Sequence, residues 1–241
     1  MAAVGWLLVK AQAAGLGHNL YTLDDPYIHM AMARNLAQHG VWGITQYSFS
    51  GSSSSLLWTL LLAGLFRIIG LQAWLPLALN VLSAGGIVLL LSHIMPRPRT
   101  AGDAVVSAAA MAGIAILTPL PSLVFFGMEN TLHVLLAVAL CYVASRELTA
   151  PSSKPHLLLP ALAMLAVMAR LESLFIVSGI MILLAVRRQW SNALLTGAAA
   201  ILPVVVYGLI SRYHGWMWLP NSVLVKGNMP QMDLAHYALA M

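Results

Sequence analysis

Two adjacent carboxylates, Asp24 and Asp25, are the residues of this sequence best suited to acid–base chemistry. They follow an apolar segment and precede Pro26 and Tyr27. The pattern predicts that a helix starts here, with Asp25 as its N-cap and Pro26 in the first helical position, where a missing N–H costs nothing. Asp24 then has no structural role, and an unpaired charge beside a membrane segment is costly. We therefore expect Asp24 to be catalytic, with Asp25 beside it.

Ionisable residues also interrupt apolar stretches later in the chain. Glu129 directly precedes an apolar segment, where it could bind a substrate or simply stabilise a helix N-terminus. Arg170 and Glu172 break the long apolar stretch 157–186 and could form a structural ion pair. Ionisable residues at membrane depth usually face a cavity, however, and arginine is a natural partner for phosphate. These three side chains are candidates for substrate binding.

The remaining polar candidates carry weaker signals. The segment from Trp216 to Asn221, with Lys226 after it, could bind a substrate or form an interfacial aromatic belt with a snorkelling lysine. The histidines His18, His29 and His39 lack metal-ligand spacing. His29 lies four residues after Asp25 and could touch it, but the sequence favours a residue at the rim of the protein. His133 and Cys141 are predicted to be packing residues.

The composition predicts a membrane protein with several spans. Of 241 residues, 60% are hydrophobic and only 8% are charged, whereas soluble domains carry about 25% charged residues. The net charge of +5 comes from 12 Lys and Arg, which are scattered at segment ends and do not indicate nucleic-acid binding. A single cysteine, Cys141, excludes a disulfide framework and a cysteine-rich zinc site.

The apolar pattern predicts one all-α transmembrane domain over residues 1–241, with about seven spans. The predicted spans are residues 2–20, 74–95, 104–120, 131–145, two short helices within 157–186 that meet at the charged break, and 191–211. Two further helices, 27–39 and 56–69, are predicted in the outer first loop; the second is too short to cross upright and is predicted to be in-plane or re-entrant. Residues 40–55, 122–130 and 212–241 are predicted loops. Four consecutive serines in the first loop suggest a flexible linker.

Alternating these spans predicts the orientation of the chain. One side receives a basic set, Arg97, Arg99, Arg146, Lys154, Arg187 and Arg188, and is cytoplasmic by the positive-inside rule. The other side receives an acidic set, Asp24, Asp25, Glu129, Glu172 and Asp233, together with the exceptions Arg34, Arg170, Arg212 and Lys226. We expect the acidic residues near span ends to meet on one non-cytoplasmic rim.

Several short motifs resemble a known family. The run from Asp24 to Ile28, the run from Ala33 to Ala37 and the run from Leu57 to Leu61 look like the opening of GT-C-fold membrane glycosyltransferases. They are most similar to the arabinofuranosyltransferase-like branch of mycobacterial cell-wall synthesis. Later motifs of that branch resemble this chain in the same order, around Gly127–Asn130, Arg170–Glu172, and Leu219–Ser222 with Lys226. Departures are Leu171, where the family usually has proline, and the serine run, which replaces a more aromatic loop.

The resemblance implies a polyprenyl-phosphate sugar donor and a glycan, lipid or protein acceptor outside a bacterial inner membrane. The sugar could be arabinofuranose, another pentose or a hexose. In the family the first-loop aspartate is the base or orienting group for the acceptor hydroxyl, a role that falls on Asp24, with Asp25 shaping the site. Arg170 and Lys226 would hold the phosphate. The other substrate-binding residues implied are Glu172, Glu129, Asn221, Tyr27 and Trp58.

The motifs identify no definite cofactor, and the hard carboxylates of Asp24 and Asp25 allow a Mg²⁺ or Mn²⁺ ion. Family members are much longer, so the end at Met241 predicts the N-terminal part of a longer enzyme. Competing functions are a transporter or flippase, which also uses charges in broken helices, and a non-catalytic truncated homologue.

Overall fold

A computed structural model describes residues 21, 23–118, 120–150 and 157–221. In this part of the chain the regular secondary structure is entirely α-helical, which confirms the predicted class. The helices are α1 (Asp25–His39), α2 (Leu56–Ile69), α3 (Leu75–Ile94), α4 (Ala101–Leu117), α5 (Leu120–Phe125), α6 (Asn130–Thr149), α7 (Leu158–Ala169), α8 (Ser173–Val186) and α9 (Trp190–Tyr213).

Three helices, α3, α6 and α9, are long and apolar enough to cross a membrane. The apolar helices α2, α4, α7 and α8 have only 14, 17, 12 and 14 residues, and a crossing needs about 20. Within the described ranges, the expectation of about seven spans is therefore not met. The predicted first span, residues 2–20, lies outside the described residues.

Some helix boundaries differ from the sequence prediction. Helix α4 starts at Ala101, three residues early, because Thr100 and Asp103 form a reciprocal capping box. The predicted loop 122–130 contains most of α5. Helix α1 starts at Asp25, and its N-cap position is occupied by Asp24, whose side chain makes no capping hydrogen bond. The prediction that Asp25 is the N-cap is therefore wrong.

The hydrophobic core is divided among three helix clusters. The largest joins α6, α7, α8 and α9, where Ala163, Ala166 and Ala200 are fully buried and let α7 and α9 approach closely. A second cluster packs α1 against α2 around Trp58 and Leu62, and a third joins α3 to α5 around Ile87 and Val124. These contacts fix the ends of α1, α6, α7 and α8, which carry the polar residues discussed below. Cys141, predicted to pack inside, is exposed.

The serine run is an ordered, largely buried segment, and the prediction of a flexible linker is wrong. Ser53 and Ser55 are 1% and 0% exposed. Ser55 caps α2 by accepting a hydrogen bond from the Trp58 N–H at 3.2 Å. Ser53 Oγ bonds Thr59 Oγ1 at 2.9 Å. A serine placed directly before an apolar helix is a recognised N-cap signal, and it outweighs the compositional argument for disorder.

The loop contacts of Ser54 and Asn221 lie at one end of the long helices, and the basic residues that end α6 and α8 lie at the other. Ser54 reaches Glu129 at the start of α6, and the Asn221 N–H donates to the Gly51 carbonyl oxygen at 2.8 Å. At the far end, Gln189 Nε2 donates to the Glu147 carbonyl oxygen at 3.1 Å, close in sequence to the basic residues that end α6 and α8. The loops predicted to be non-cytoplasmic thus meet at one end, which we call the site end.

This arrangement allows a labelling test of orientation. Cysteines introduced at Ser52, Phe126 and Asn221 should react with a membrane-impermeant reagent from outside, and those at Arg97, Ser152 and Arg188 only after permeabilisation. The native Cys141 would first be replaced by serine. Labelling of positions 52 and 97 from the same side would show that α2 crosses the membrane instead of lying in its plane.

Candidate functional site

A buried polar cluster lies at the site end, where four parts of the chain meet. It is formed by α1, the serine run, the turn before α6 and the break between α7 and α8. We use the name buried polar cluster for His29, Ser53, Ser54, Thr59, Glu129 and Arg170. These residues come from positions up to 141 apart in the sequence, so only the folded chain brings them together.

Glu129 is the central carboxylate of the cluster and is 0% exposed. It follows a tight turn at Gly127, whose φ of 67° favours glycine. Its Oε1 accepts a hydrogen bond from Ser54 Oγ at 3.4 Å and lies 3.8 Å from Arg170 Nη1. Its Oε2 lies 3.7 Å from His29 Nε2 and has no hydrogen-bond partner among the described residues. Its side chain does not cap α6, so the alternative role as an N-terminal acceptor is wrong.

His29 faces the interior, and its prediction as a rim residue is wrong. The side chain is 2% exposed, with Nδ1 3.2 Å from Thr59 Oγ1 and Nε2 3.2 Å from Ser54 Oγ. The signal that could have found it is helical spacing, since Pro26, His29 and Ala33 recur at intervals of three and four and are all buried. His29 is therefore the main site residue that the sequence motifs do not indicate.

Burial also controls the ionisation of His29. Its pKa is lowered by loss of hydration, while the carboxylates of Glu129 and Asp25 oppose the shift. Of the other groups around it, Ser53, Ser54 and Thr59 are neutral and Arg170 is a cation beyond Glu129. The folded protein therefore favours neutral His29.

We expect the free energy of unfolding to fall as the pH is lowered below about 6.5. His29 of the unfolded chain binds a proton near pH 6.5, whereas in the folded chain its pKa is lower. Its contribution to folding stability is therefore present above about pH 6.5 and is lost below that pH. Thermal unfolding in detergent between pH 8 and pH 5 measures this effect. A His29→Gln variant should lose part of the pH dependence, and an unchanged slope would assign it to other groups.

Arg170 occupies the break between α7 and α8, as the sequence predicts. Its backbone is extended, with φ of −153° and ψ of 131°, which ends α7. Its Nη2 donates to Glu172 Oε1 at 3.0 Å, and its Nη1 donates to Asn130 Oδ1. Arg170 is 24% exposed and Glu172 is 58% exposed, whereas Glu129 is fully buried. The guanidinium thus joins the buried carboxylate to an exposed one, and the structural ion pair considered from the sequence does form.

A second polar contact supports the same helix break. His133, one turn after Glu129 on α6, lies 2.8 Å from Ser173 Oγ, and that hydroxyl donates to the Ala166 carbonyl oxygen at 3.0 Å. This contact joins the start of α6 to the start of α8 and the end of α7. His133 is therefore part of a hydrogen-bonded junction, and its prediction as a packing residue is wrong.

The two aspartates are exposed at the start of α1. Asp25 lies one turn before His29 and acts on it electrostatically, which links the exposed pair to the buried polar cluster. Among the described residues no three His, Cys, Asp or Glu side chains group to hold a metal ion. Within the described ranges the pair therefore offers two carboxylates without a third His, Cys, Asp or Glu ligand.

The other predicted binding residues lie apart from this cluster. Tyr27 is exposed and lines a separate cavity between α1 and the α2–α3 turn. The Trp58 ring is fully buried in the core that joins α1 to α2, where it packs against apolar side chains. Asn221 is held near the serine run by its bond to Gly51, and Trp218 covers α9 so closely that a Cβ on Gly208 would overlap its ring. Lys226 and Asp233 lie outside the described residues.

The arrangement has two chemical capacities. Arg170 can hold an anion where its exposed partner Glu172 is displaced. The aspartate pair adds exposed basic oxygens at the start of the helix that carries His29. No protein-family model, curated protein or solved structure matches the chain.

Proposed function

We propose that the protein is an integral-membrane glycosyltransferase of the GT-C type. It moves a sugar from a polyprenyl-phosphate donor to a hydroxyl of a cell-envelope glycan, lipid or protein. The observation that carries this proposal is Arg170, a cation at a break between apolar helices that is shared by buried Glu129 and exposed Glu172. An arginine in that setting suits the phosphate of a lipid-linked donor.

The reaction needs a base, an anion site and a path for the leaving group. The acceptor hydroxyl oxygen would bond to the anomeric carbon while the bond from that carbon to the phosphate oxygen breaks. The hydroxyl proton would go to Asp24, whose carboxylate is exposed and makes no capping bond to α1. The electron pair would leave with the polyprenyl phosphate, whose charge Arg170 would stabilise. Lys226 would assist, and Asp25 would shape the site.

The proposal extends to the placement of the protein. The site end faces the periplasm or the extracellular side of a bacterial inner membrane, and the basic end faces the cytoplasm. A complete GT-C bundle of about seven spans would include the short apolar helices α7 and α8 as two spans that meet at Arg170 at the site end. Glu172 would yield to the donor phosphate, since it is the more exposed partner of Arg170.

Variants of Arg170 test the anion site. Arg170→Ala should lower use of the lipid-phosphate donor by about tenfold or more, because a charge-assisted contact to the phosphate is lost. Arg170→Lys should recover part of it, since lysine keeps the charge without the bidentate fork. Transfer of radiolabelled sugar is measured in membranes that contain equal amounts of folded protein. Exposed Arg212, in the last turn of α9, provides the control variant Arg212→Ala.

The outcome separates this role from a structural one. Equal donor use by wild-type protein, Arg170→Ala and Arg170→Lys would make Arg170 a structural residue and remove the main support for the proposal. Loss of transfer in Arg212→Ala as well would point to a general effect of surface charge.

A transporter or flippase is the second candidate, favoured by one observation. Arg170 lies at a helix break, 3.8 Å from buried Glu129, which in turn lies 3.7 Å from buried His29, and transporters use discontinuous helices in this way. Reconstituted vesicles distinguish the two functions. Movement of a labelled polyprenyl-phosphate sugar between leaflets, without transfer to an acceptor, would favour the flippase. A non-catalytic homologue would show neither activity.

A further inference from the structure

The cavity lined by Tyr27 lies on the other side of α1 from the buried polar cluster. Its volume is about 340 Å³, and it opens between α1 and the turn that joins α2 to α3. Helix α1 lines it with residues spaced three and four apart, which form one face: Tyr27, Met30, Ala31 and Arg34. His29 is about half a helical turn away from Tyr27. A ligand in this cavity would therefore not meet Glu129.

Arg34 is the charged group of this cavity. The other lining residues are Phe66, Leu71, Gln72 and Ala73, so the cavity is otherwise apolar or neutral. Arg34 is exposed and forms no hydrogen bond or ion pair with the described residues. This contrasts with neighbouring Arg67, whose Nη1 donates to the Ala37 carbonyl oxygen at 2.9 Å. A cation that has no partner among the described residues and lies beside apolar side chains favours a ligand in which an anion is joined to apolar groups.

The surroundings of the cavity indicate contact with a bilayer. Ile68 is 82% exposed and Leu71 is 47% exposed. Trp74, 43% exposed, directly precedes the candidate span α3, and tryptophan at the end of a span is typical of the headgroup level. The cavity mouth thus lies where a phosphate would reach Arg34 while acyl chains cover the exposed apolar side chains.

Tyr27 lines the cavity together with Arg34, and Tyr21 holds Tyr27 and Ala73 in place from behind. Tyr21 Oη donates to the Ala73 carbonyl oxygen at 2.6 Å, and its ring meets that of Tyr27 edge to face at 5.9 Å. The Tyr27 hydroxyl oxygen accepts the Tyr21 N–H at 2.9 Å, which leaves its own proton available to a ligand. Burial raises the pKa of Tyr21 to about 12, so this phenol stays neutral beside an anion.

We propose that this cavity binds the headgroup of an anionic membrane phospholipid, with Arg34 and the Tyr27 hydroxyl on the phosphate. The exposed apolar rim and the span end at Trp74 favour a lipid over a free phosphate. The position opposite the buried polar cluster favours a bilayer phospholipid over the polyprenyl donor. This site would hold α1 at the membrane surface and is independent of the proposed transfer reaction.

Binding of short-chain lipids to the purified protein tests the proposal. Dihexanoyl phosphatidylglycerol and dihexanoyl phosphatidylcholine, which have the same acyl chains, are titrated below their critical micelle concentrations, and tryptophan fluorescence is recorded. We expect the wild-type protein to bind the anionic lipid about tenfold more tightly. Arg34→Gln should remove that preference, Arg34→Lys should keep part of it, and Arg212→Gln, an exposed cation outside the cavity, should leave it unchanged.

Each contrary result has a definite meaning. Equal affinity of the wild-type protein for the two lipids would overturn the proposal. This comparison needs no variant, so it holds even if Arg34→Gln does not fold. Competition by inorganic phosphate at the same concentration would assign the cavity to a soluble anion. Tighter binding of undecaprenyl phosphate, lost in Arg34→Gln, would assign it to the donor. Lipid binding is measured without acceptor, so failure here leaves the glycosyltransferase proposal standing.

Discussion

Asp24→Asn is expected to reduce sugar transfer by about 10²-fold or more, while expression and folding remain normal. The asparagine keeps the size and hydrogen-bonding capacity of the side chain but loses the basic oxygen, and general-base assistance contributes about 10²–10⁴-fold. Because Asp24 is exposed and makes no capping bond, its loss should not disturb α1. Transfer from a polyprenyl-phosphate donor, measured in membranes with each variant at equal amounts, gives the comparison.

Asp25→Asn is the matched control for this prediction. Asp25 lies in the first turn of α1, where a negative charge is favourable, and acts on His29. We expect the milder loss here, since the base would remain. A fully active Asp24→Asn protein beside an inactive Asp25→Asn protein would exchange the two roles. If both variants were fully active, the aspartate pair would not be the base of the reaction.

Arg170→Met is expected to destabilise the folded protein by about 3 kcal/mol or more. Removing one partner of a buried ion pair leaves an uncompensated charge, which costs roughly 3–5 kcal/mol. Glu129 is fully buried, and Arg170 is its nearest arginine at 3.8 Å. The free energy of unfolding can be measured by denaturant titration in micelles, with helix content as the signal.

A second substitution in the same background identifies the cause. Glu129→Gln in the Arg170→Met protein removes the stranded charge and should restore a large part of the lost stability. Arg212→Met, at an exposed position in the last turn of α9, should change stability by less than about 0.5 kcal/mol. A double variant no more stable than Arg170→Met alone would show that the loss comes from packing of the arginine side chain or from its bonds to Asn130 and Glu172.

The sequence by itself determined the features that depend on local pattern. Helix α2 has the predicted bounds, Leu56–Ile69, because an apolar run is closed by Ser55 on one side and Gly70 on the other. The break between α7 and α8 falls at Arg170, as predicted, because three residues with two charges cannot continue an apolar helix face. The all-helical class and the membrane-like helices follow from composition and length.

Only the tertiary structure decided which polar residues are buried and which of them meet. His29, Ser54, Glu129 and Arg170 are widely separated in the chain, and their contacts depend on how α1, α6 and α7 pack. From local pattern alone, the serines are predicted to form a linker and His29 to lie at the rim. Local pattern carries no information about a partner that is distant in sequence, and Glu129 lies 75 residues after Ser54 and 100 residues after His29. The same packing left Arg34 without a partner in the part of the chain that the structure describes, and it shields Glu129 from solvent, because burial is a property of the assembled helices and not of any one segment.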